Sequence, residues 1–281
     1  MLIPSFVLYA MLISFGSGLI GSMLGLGGGA IIVPLLIFFL NVPIHIASGA
    51  SIIAVVATSS VAAVAYVREE MTNMRLGMFL ELATTIGAIS GAFLTSIASE
   101  SSLRIVFGIS LIYAATVMFI QSRRMERSWE QNPNDNIADK LNLGGSYHDA
   151  ARDEMINYGV SKTAFTFGVS YIAGVISGLL GIGGGGIKVP TMNVIAGIPM
   201  KVAVATSNFM IGVTAAASAL VYIRHGYCDA FVTAPVVLGT LLGAFVGSKL
   251  MHLVKGKDLK KLFIVVLLLL GVRMIASGMG V

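Results

Sequence analysis

Charge is what this 281-residue chain has least of: only 11% of it is Asp, Glu, Lys or Arg, where a soluble domain is about a quarter charged. So few charges cannot clothe a water-facing surface. A soluble globular fold, a disordered chain and an ordinary nucleic-acid binder are excluded, despite a net charge of +5 and a pI near 9.4. Cysteine is nearly absent as well. A single thiol, Cys228, allows neither an internal disulfide framework nor a multi-cysteine zinc site. The four histidines (His45, His148, His225 and His252) are scattered without metal-ligand spacing, so no metal or other cofactor is expected. What the chain does have is 56% hydrophobic residues and a mean hydropathy of +0.91. Lipid is its expected solvent.

Apolar stretches of membrane-spanning length or more fall at about 5–40, 44–67, 76–98, 103–121, 163–197, 201–224, 230–254 and 259–280. Residues 122–162 differ in kind. They carry Arg123, Arg124, Glu126, Arg127, Glu130, Asp135, Asp139, Lys140, Asp149, Arg152, Asp153 and Glu154, with the one tryptophan, Trp129. We read this segment as a solvated cytoplasmic linker between two membrane halves, 1–121 and 163–281, with a turn signal for a small hairpin at Leu143-Gly144-Gly145-Ser146. The amino terminus lacks a basic region ahead of Leu12-Ile13 and is expected to stay in the mature protein.

The two halves are copies. Gly25-Leu26-Gly27-Gly28-Gly29-Ala30-Ile31-Ile32-Val33-Pro34 resembles Gly181-Ile182-Gly183-Gly184-Gly185-Gly186-Ile187-Lys188-Val189-Pro190, 156 residues further on. Without a gap, that offset also pairs Pro43 with Pro199, Ser51 with Ser207, Thr58 with Thr214, Tyr66 with Tyr222, Gly87 with Gly243 and Phe107 with Phe263. Chance similarity between apolar segments would not hold glycine, proline and tyrosine in register over such a length.

Loop charges choose the orientation of the copies, because lysine and arginine favour the cytoplasmic side. With the linker inside and four crossings per half, nine basic loop residues lie inside and six outside. If the first stretch of each half is a re-entrant hairpin, thirteen lie inside and only Arg104 and Arg224 outside. The second arrangement is expected. It gives an all-α polytopic membrane protein of two inverted-topology repeats, each with a glycine-broken re-entrant hairpin plus three transmembrane helices. Both first stretches exceed one crossing of ~30 Å and are interrupted by glycine, which agrees.

Two soluble-protein motifs are rejected at the glycine segments. Gly181-x-Gly183-x-x-Gly186 fits a dinucleotide fingerprint as a string, but no acid follows between Glu154 and Asp229 to hold a ribose. The P-loop reading fails because Lys188 is neither preceded by glycine nor followed by Ser or Thr. Within a membrane, a glycine tip between half-helices bares amide N–H groups beside a positive dipole end, which suits an anion. An interruption repeated in both halves is the best pointer to a transport site. The candidate substrate-binding residues are therefore Gly27, Gly28 and Gly29 in the first half and Gly183, Gly184, Gly185 and Gly186 in the second. Ser51 and Thr206-Ser207-Asn208 add small polar donors on the following helices. The alternative is interhelical hydrogen bonding by the hydroxyls and close packing by the glycines.

Lys188 follows the second glycine run with no acidic neighbour in sequence, and its copy is Ile32. An intramembrane lysine is functional by default, contacting an anion or carrying a proton, unless it snorkels. Glu81, whose copy is Val237, is expected to be an interfacial carboxylate, with a proton-coupling role as the alternative, and Arg273 a solvated helix end.

The paired Gly-x-Gly-Gly-Gly…Val-Pro segments, Pro43 and Pro199, and Ala205-Thr206-Ser207 resemble the sulfite exporter TauE/SafE family over essentially the whole chain. The resemblance implies transport of sulfite or small sulfur-containing organic anions such as sulfoacetate, commonly as export and coupled to the proton gradient. Its glycine turns map onto 27–29 and 183–186; Lys188 maps onto no shared role. The expected partners are a small anionic substrate, the lipid bilayer and a proton as coupling ion, with no nucleic acid and with the oligomeric state left open. An anion channel or importer on the same scaffold is the alternative. An intramembrane enzyme is rejected because no nucleophile, paired-acid or zinc motif is present.

Overall fold

The computed structural model describes residues 3–24, 27–68, 70–123, 133–149, 154–250 and 256–280. In the first half, α1 (Ile3–Leu24) and α2 (Gly29–Leu40) flank the glycine break, followed by α3 (Ile44–Arg68), α4 (Met74–Ile97) and α5 (Glu100–Arg123). The second half repeats this as α7 (Thr163–Leu180), α8 (Gly185–Pro190) with a π-helical turn at Thr191–Ile195, α9 (Met200–Arg224), α10 (Ala230–Leu250) and α11 (Gly256–Met279). The starts of α2, α3, α4 and α5 recur 156 residues later at α8, α9, α10 and α11. Pro190 stands where α8 gives way to the π turn, which matches the amide proline removes.

Among the described residues, seven helices are long and apolar enough to cross a membrane: α1, α3, α4, α5, α7, α9 and α10. α2 and Ile264–Met279 are shorter apolar helices. The outward faces suit lipid. Leu82, Leu242 and Leu220 are 63%, 55% and 71% exposed, a load of bare leucine that a water-facing surface does not carry. The protein is mostly helical and multi-pass.

Glycine lets the helices touch backbone to backbone. α1 lies along α10 in the same sense, Gly243 against the Phe15 carbonyl and Gly247 against that of Leu19. Their copies do the same: α7 lies along α4, Gly87 against the Tyr171 carbonyl and Gly91 against that of Val175. Gly87, Gly91, Gly243 and Gly247 therefore serve close helix packing. α3 and α9 lie side by side in opposite senses. Ser59 meets Gly212, while Ala62 and Tyr66 pack with Ala205. α5 and α11 are likewise opposed, with Gly108 at Gly271 and Ser101 at Gly278. A methyl group added at Gly178 would sit 1.9 Å from the Ala88 carbonyl oxygen. Gly178→Val is expected to destabilise the bundle by at least about 1–3 kcal/mol, seen as a lower Tm of the detergent-solubilised protein.

The linker is not a solvated tether where it is described. It forms α6 (Asn136–Leu141) and an antiparallel hairpin of β1 (Gly145–Asp149) and β2 (Glu154–Tyr158), with Gly145 opposite Tyr158. Leu143-Gly144-Gly145-Ser146 leads into β1 and does not turn between the two strands; residues 150–153 lie outside the described residues. Trp129 and most of the charge run also lie outside them. Leu143, Tyr147, Ile156 and Tyr158 share one apolar cluster with Leu76 and Leu80 of α4 and Val189 and Met192 of the second hairpin. Asn73 Nδ2 donates to the Leu143 carbonyl at 2.7 Å and to the Tyr158 hydroxyl at 3.1 Å.

Asp135 anchors this unit to the second half. Its carboxylate accepts from the backbone N–H of Ile137 and Ala138 as the cap of α6, and from the N–H (2.6 Å) and hydroxyl of Thr163 at the start of α7. Desolvation pushes its proton affinity up, but the donors at Ala138, Thr163 and Ile137 outweigh that and hold the carboxyl below its ordinary value. A depressed folded value means stability that is present above the unfolded carboxyl's range and is lost as pH falls through the folded one. Asp135→Ala is expected to cost about 1 kcal/mol at neutral pH. The gap in Tm between this variant and the wild type should close in acid.

Candidate functional site

Gly27 (φ 70°) and Gly183 (φ 77°) take the left-handed backbone that turns each broken hairpin. Gly28 lies against the Ser17 carbonyl and against Gly21, so the chain after the break folds back along α1. The two tips meet. A Cβ at Gly27 would lie 3.1 Å from Val55 and 3.4 Å from Ile211, and one at Gly183 would lie 2.8 and 2.9 Å from the same two side chains. Val55 and Ile211 are themselves copies, each near the middle of its helix, α3 or α9. Gly29 lies beside Ser51 and the Gly181 carbonyl, and Ser51 Oγ donates to that carbonyl at 2.8 Å. Gly27, Gly29, Gly183 and Ser51 are thus brought to one place. No side chain caps Gly28 or Gly184, where α2 and α8 begin.

The surroundings are closed. Val55 and Ile211 methyl groups cover the tips, and Gly184 backs onto the Ser177 side chain. A cavity of about 20 Å³ lies beside Gly184 and Gly186, lined also by Ala30, Ser110, Ile182 and Leu267. That is room for about one water, not for a sulfur oxyanion. Gly185 is buried in the first turn of α8.

The other polar candidates scatter. Thr206 Oγ1 accepts from the Asn73 backbone N–H at 3.0 Å, at the linker end of the bundle. Asn208 Nδ2 donates to the Val204 carbonyl of its own helix at 3.1 Å. Ser207 Oγ is buried and has no partner among the described residues.

Lys188 does not snorkel. It is 1% exposed, and its Nζ donates to Thr214 Oγ1 at 2.6 Å. Thr214 in turn donates to Glu81 Oε1 at 2.6 Å. Thr85 donates to the same carboxylate oxygen at 2.7 Å, and Thr84 to Oε2 at 2.9 Å. Glu81, expected at the interface, is only 7% exposed. The reason is α4's packing against α7 and α9, which turns residues 80, 81, 84 and 88 inward. The legible signal was the spacing of Glu81, Thr84 and Thr85, one helical turn apart, which supplies a carboxylate with its own hydroxyl donors. Arg273 is not simply a solvated end, because its guanidinium lies 4.5 Å from the centre of the Phe38 ring.

A multi-pass helical bundle with two copied, glycine-broken hairpins around a buried lysine has the build of a membrane transporter. The model of the sulfite exporter TauE/SafE family matches residues 10–274, and the chain belongs to that family. It is 26% identical over 269 residues to the probable membrane transporter protein YunE of Bacillus subtilis, covering 93% of this chain and 94% of that one. The probable membrane transporter protein YdhB of the same organism is 25% identical over 249 residues, with 89% and 92% covered. A probable membrane transporter protein of Methanocaldococcus jannaschii, MJ0441, is 25% identical over 250 residues, with 85% and 82% covered. No solved structure is significantly similar to the chain.

Proposed function

We propose that the protein is a secondary transporter that moves a small sulfur-containing anion, such as sulfite, sulfoacetate or a related sulfonate, across the inner cell membrane. Transport is proton-coupled and runs by alternating access of two inverted repeats, with export as the direction the family's description implies. The inversion is supported by α3 and α9, and by α5 and α11, which are copies of each other yet lie side by side in opposite senses. Two bundles related in that way face opposite sides of a bilayer, and each hairpin then returns to the side it came from. The observation that carries the anion reading is the meeting of both glycine tips at Val55 and Ile211, one helical turn from Thr214, the partner of buried Lys188.

A thermal-shift screen of purified protein against sulfite, thiosulfate, sulfate, sulfoacetate and carboxylates tests this. One sulfur oxyanion or sulfonate should stabilise the wild type, and the shift should vanish in at least one of Ser51→Ala, Ser207→Ala and Lys188→Ala. A clear shift with a carboxylate or a cation, and none with any sulfur anion, would defeat the cargo assignment. For orientation, Lys257→Cys should be labelled only from the cytoplasmic side.

A further inference from the structure

The two-fold likeness of the halves fails at one place in the centre. Thr58 of α3 donates to carbonyls of its own surroundings, those of Ala54 and Gly27 (3.5 Å). Its copy Thr214 stands between an ammonium and a carboxylate, neither of which has a copy: Ile32 answers Lys188, and Val237 answers Glu81. Close packing does not require this. A buried ion pair is often no more stable than apolar side chains of the same size, and the copied positions carry such side chains, Ile32 in the first half and Val237 in the second.

Glu81 faces Lys188 through the shared hydroxyl of Thr214. Glu81 also receives hydrogen bonds from Thr84 and Thr85, and the linker hairpin brings Tyr147 and Tyr158 to the cluster of Leu76 and Leu80 on the same helix. Of the helices packed on α4, α7 carries Tyr171, which is 40% exposed, and Lys162 at its cap. α9 carries Tyr222, whose hydroxyl donates to the carbonyls of Gly178 and Leu179, with Lys201 and Arg224 at its two ends. The centre therefore holds one positive and one negative side chain, both buried and bridged by a hydroxyl.

Resting on the transporter reading above, we infer that Glu81 is the resident counter-ion of Lys188, that the cargo anion displaces it there, and that Glu81 then takes one proton from the aqueous phase. The proton comes from hydronium: one of its O–H bonds breaks, leaving water, as a new O–H bond forms to a carboxylate oxygen, and no other bond changes. The empty centre contains ammonium and carboxylate. With a singly charged cargo, the loaded one contains ammonium, anion and carboxylic acid. Both are neutral overall, so neither carries an uncompensated charge through the occluded state, where such a charge is costly. Once protonated, Glu81 keeps acceptor capacity for Thr84 and Thr85, which hold it in place without a cation. Thr214 is a positioning residue that keeps the two charges apart by one hydroxyl, so that an anion can compete. Proton and anion travel in the same direction. An anion accumulated inside leaves with a proton, and an inward proton gradient drives the same cycle as uptake.

The test is calorimetric titration of the solubilised full-length protein with methanesulfonate, sulfoacetate and acetate, repeated in two buffers of different ionisation heat. Methanesulfonate is informative because it has no proton of its own to exchange. Wild-type protein should take up about one proton per methanesulfonate bound, with affinity falling as pH rises. Glu81→Gln should bind roughly tenfold more tightly, the equivalent of removing one modest competitor, with no proton uptake and no pH dependence. Glu81→Asp should restore both, and Lys188→Gln should bind nothing. Binding without proton uptake in the wild type, read without any variant, overturns the exchange but leaves the transporter reading standing. So does a Glu81→Gln variant that binds more weakly. Binding of acetate alone, with proton uptake lost in Glu81→Gln, upholds the exchange and overturns the sulfur cargo. Binding of no anion by either wild type or Glu81→Gln overturns both.

Discussion

Glu81→Leu is expected to destabilise the protein by about 3–5 kcal/mol, because it strands the Lys188 ammonium in a site that is 1% exposed. Lys188→Met should cost about as much, through the stranded carboxylate of Glu81. The two together should cost far less than their sum. An apolar pair at these positions is what the first half already has in Ile32 and the second in Val237, and replacing a buried pair outright is often neutral. The coupling energy in this cycle should therefore be large, since the residues share a partner in Thr214. Thermal unfolding of the four proteins in one detergent reads it. If the double variant is as unstable as the sum of the singles, the two side chains do not interact through Thr214. The double variant should fold and yet fail to bind anion, which separates the role of the pair in function from its role in stability.

Gly183→Ala is the second large effect. At φ 77° an L-residue pays for the left-handed backbone, and its Cβ would meet Val55 at 2.8 Å and Ile211 at 2.9 Å. Both neighbours are β-branched and stiff, so the methyl groups cannot swing away. The combined loss should be roughly 2–4 kcal/mol, with anion binding abolished because both tips rest on the same two side chains. Val55→Ala in the same protein should recover only the share of the steric loss that Val55 causes, leaving the contact with Ile211 and the backbone part. Gly168→Ala in α7 is the control. Nothing lies within 4 Å of its Cβ, so it should leave Tm unchanged or raise it slightly.

Much of the architecture was legible because the duplication carries its own check. The offset of 156 residues places the starts of α9 and α11 from those of α3 and α5 without reference to propensity. The glycine breaks were legible too, since left-handed turns at Gly27 and Gly183 leave a run of glycine in the sequence. What the sequence hid is tertiary. Glu81 looked interfacial because it lies less than two turns into α4, but α7 and α9 bury that end of the helix and bring Thr214 to it across 133 residues. Thr206 and Asn208 looked like site donors beside Ser207, yet adjacent residues on a helix point in different directions. One serves the Asn73 amide and the other the carbonyl of Val204. The linker's charges suggested solvent, while Leu143, Tyr147, Ile156 and Tyr158, spread among those charges, pack against Leu76 and Leu80.

The most direct test of the whole account is flux of labelled sulfoacetate and sulfite through the full-length protein in proteoliposomes, with internal pH followed at the same time. The account predicts saturable anion entry that carries protons inward and collapses in Lys188→Gln and in Gly183→Ala. Non-saturating, electrogenic anion current that ignores pH, or cation flux in place of sulfur anions, would contradict it.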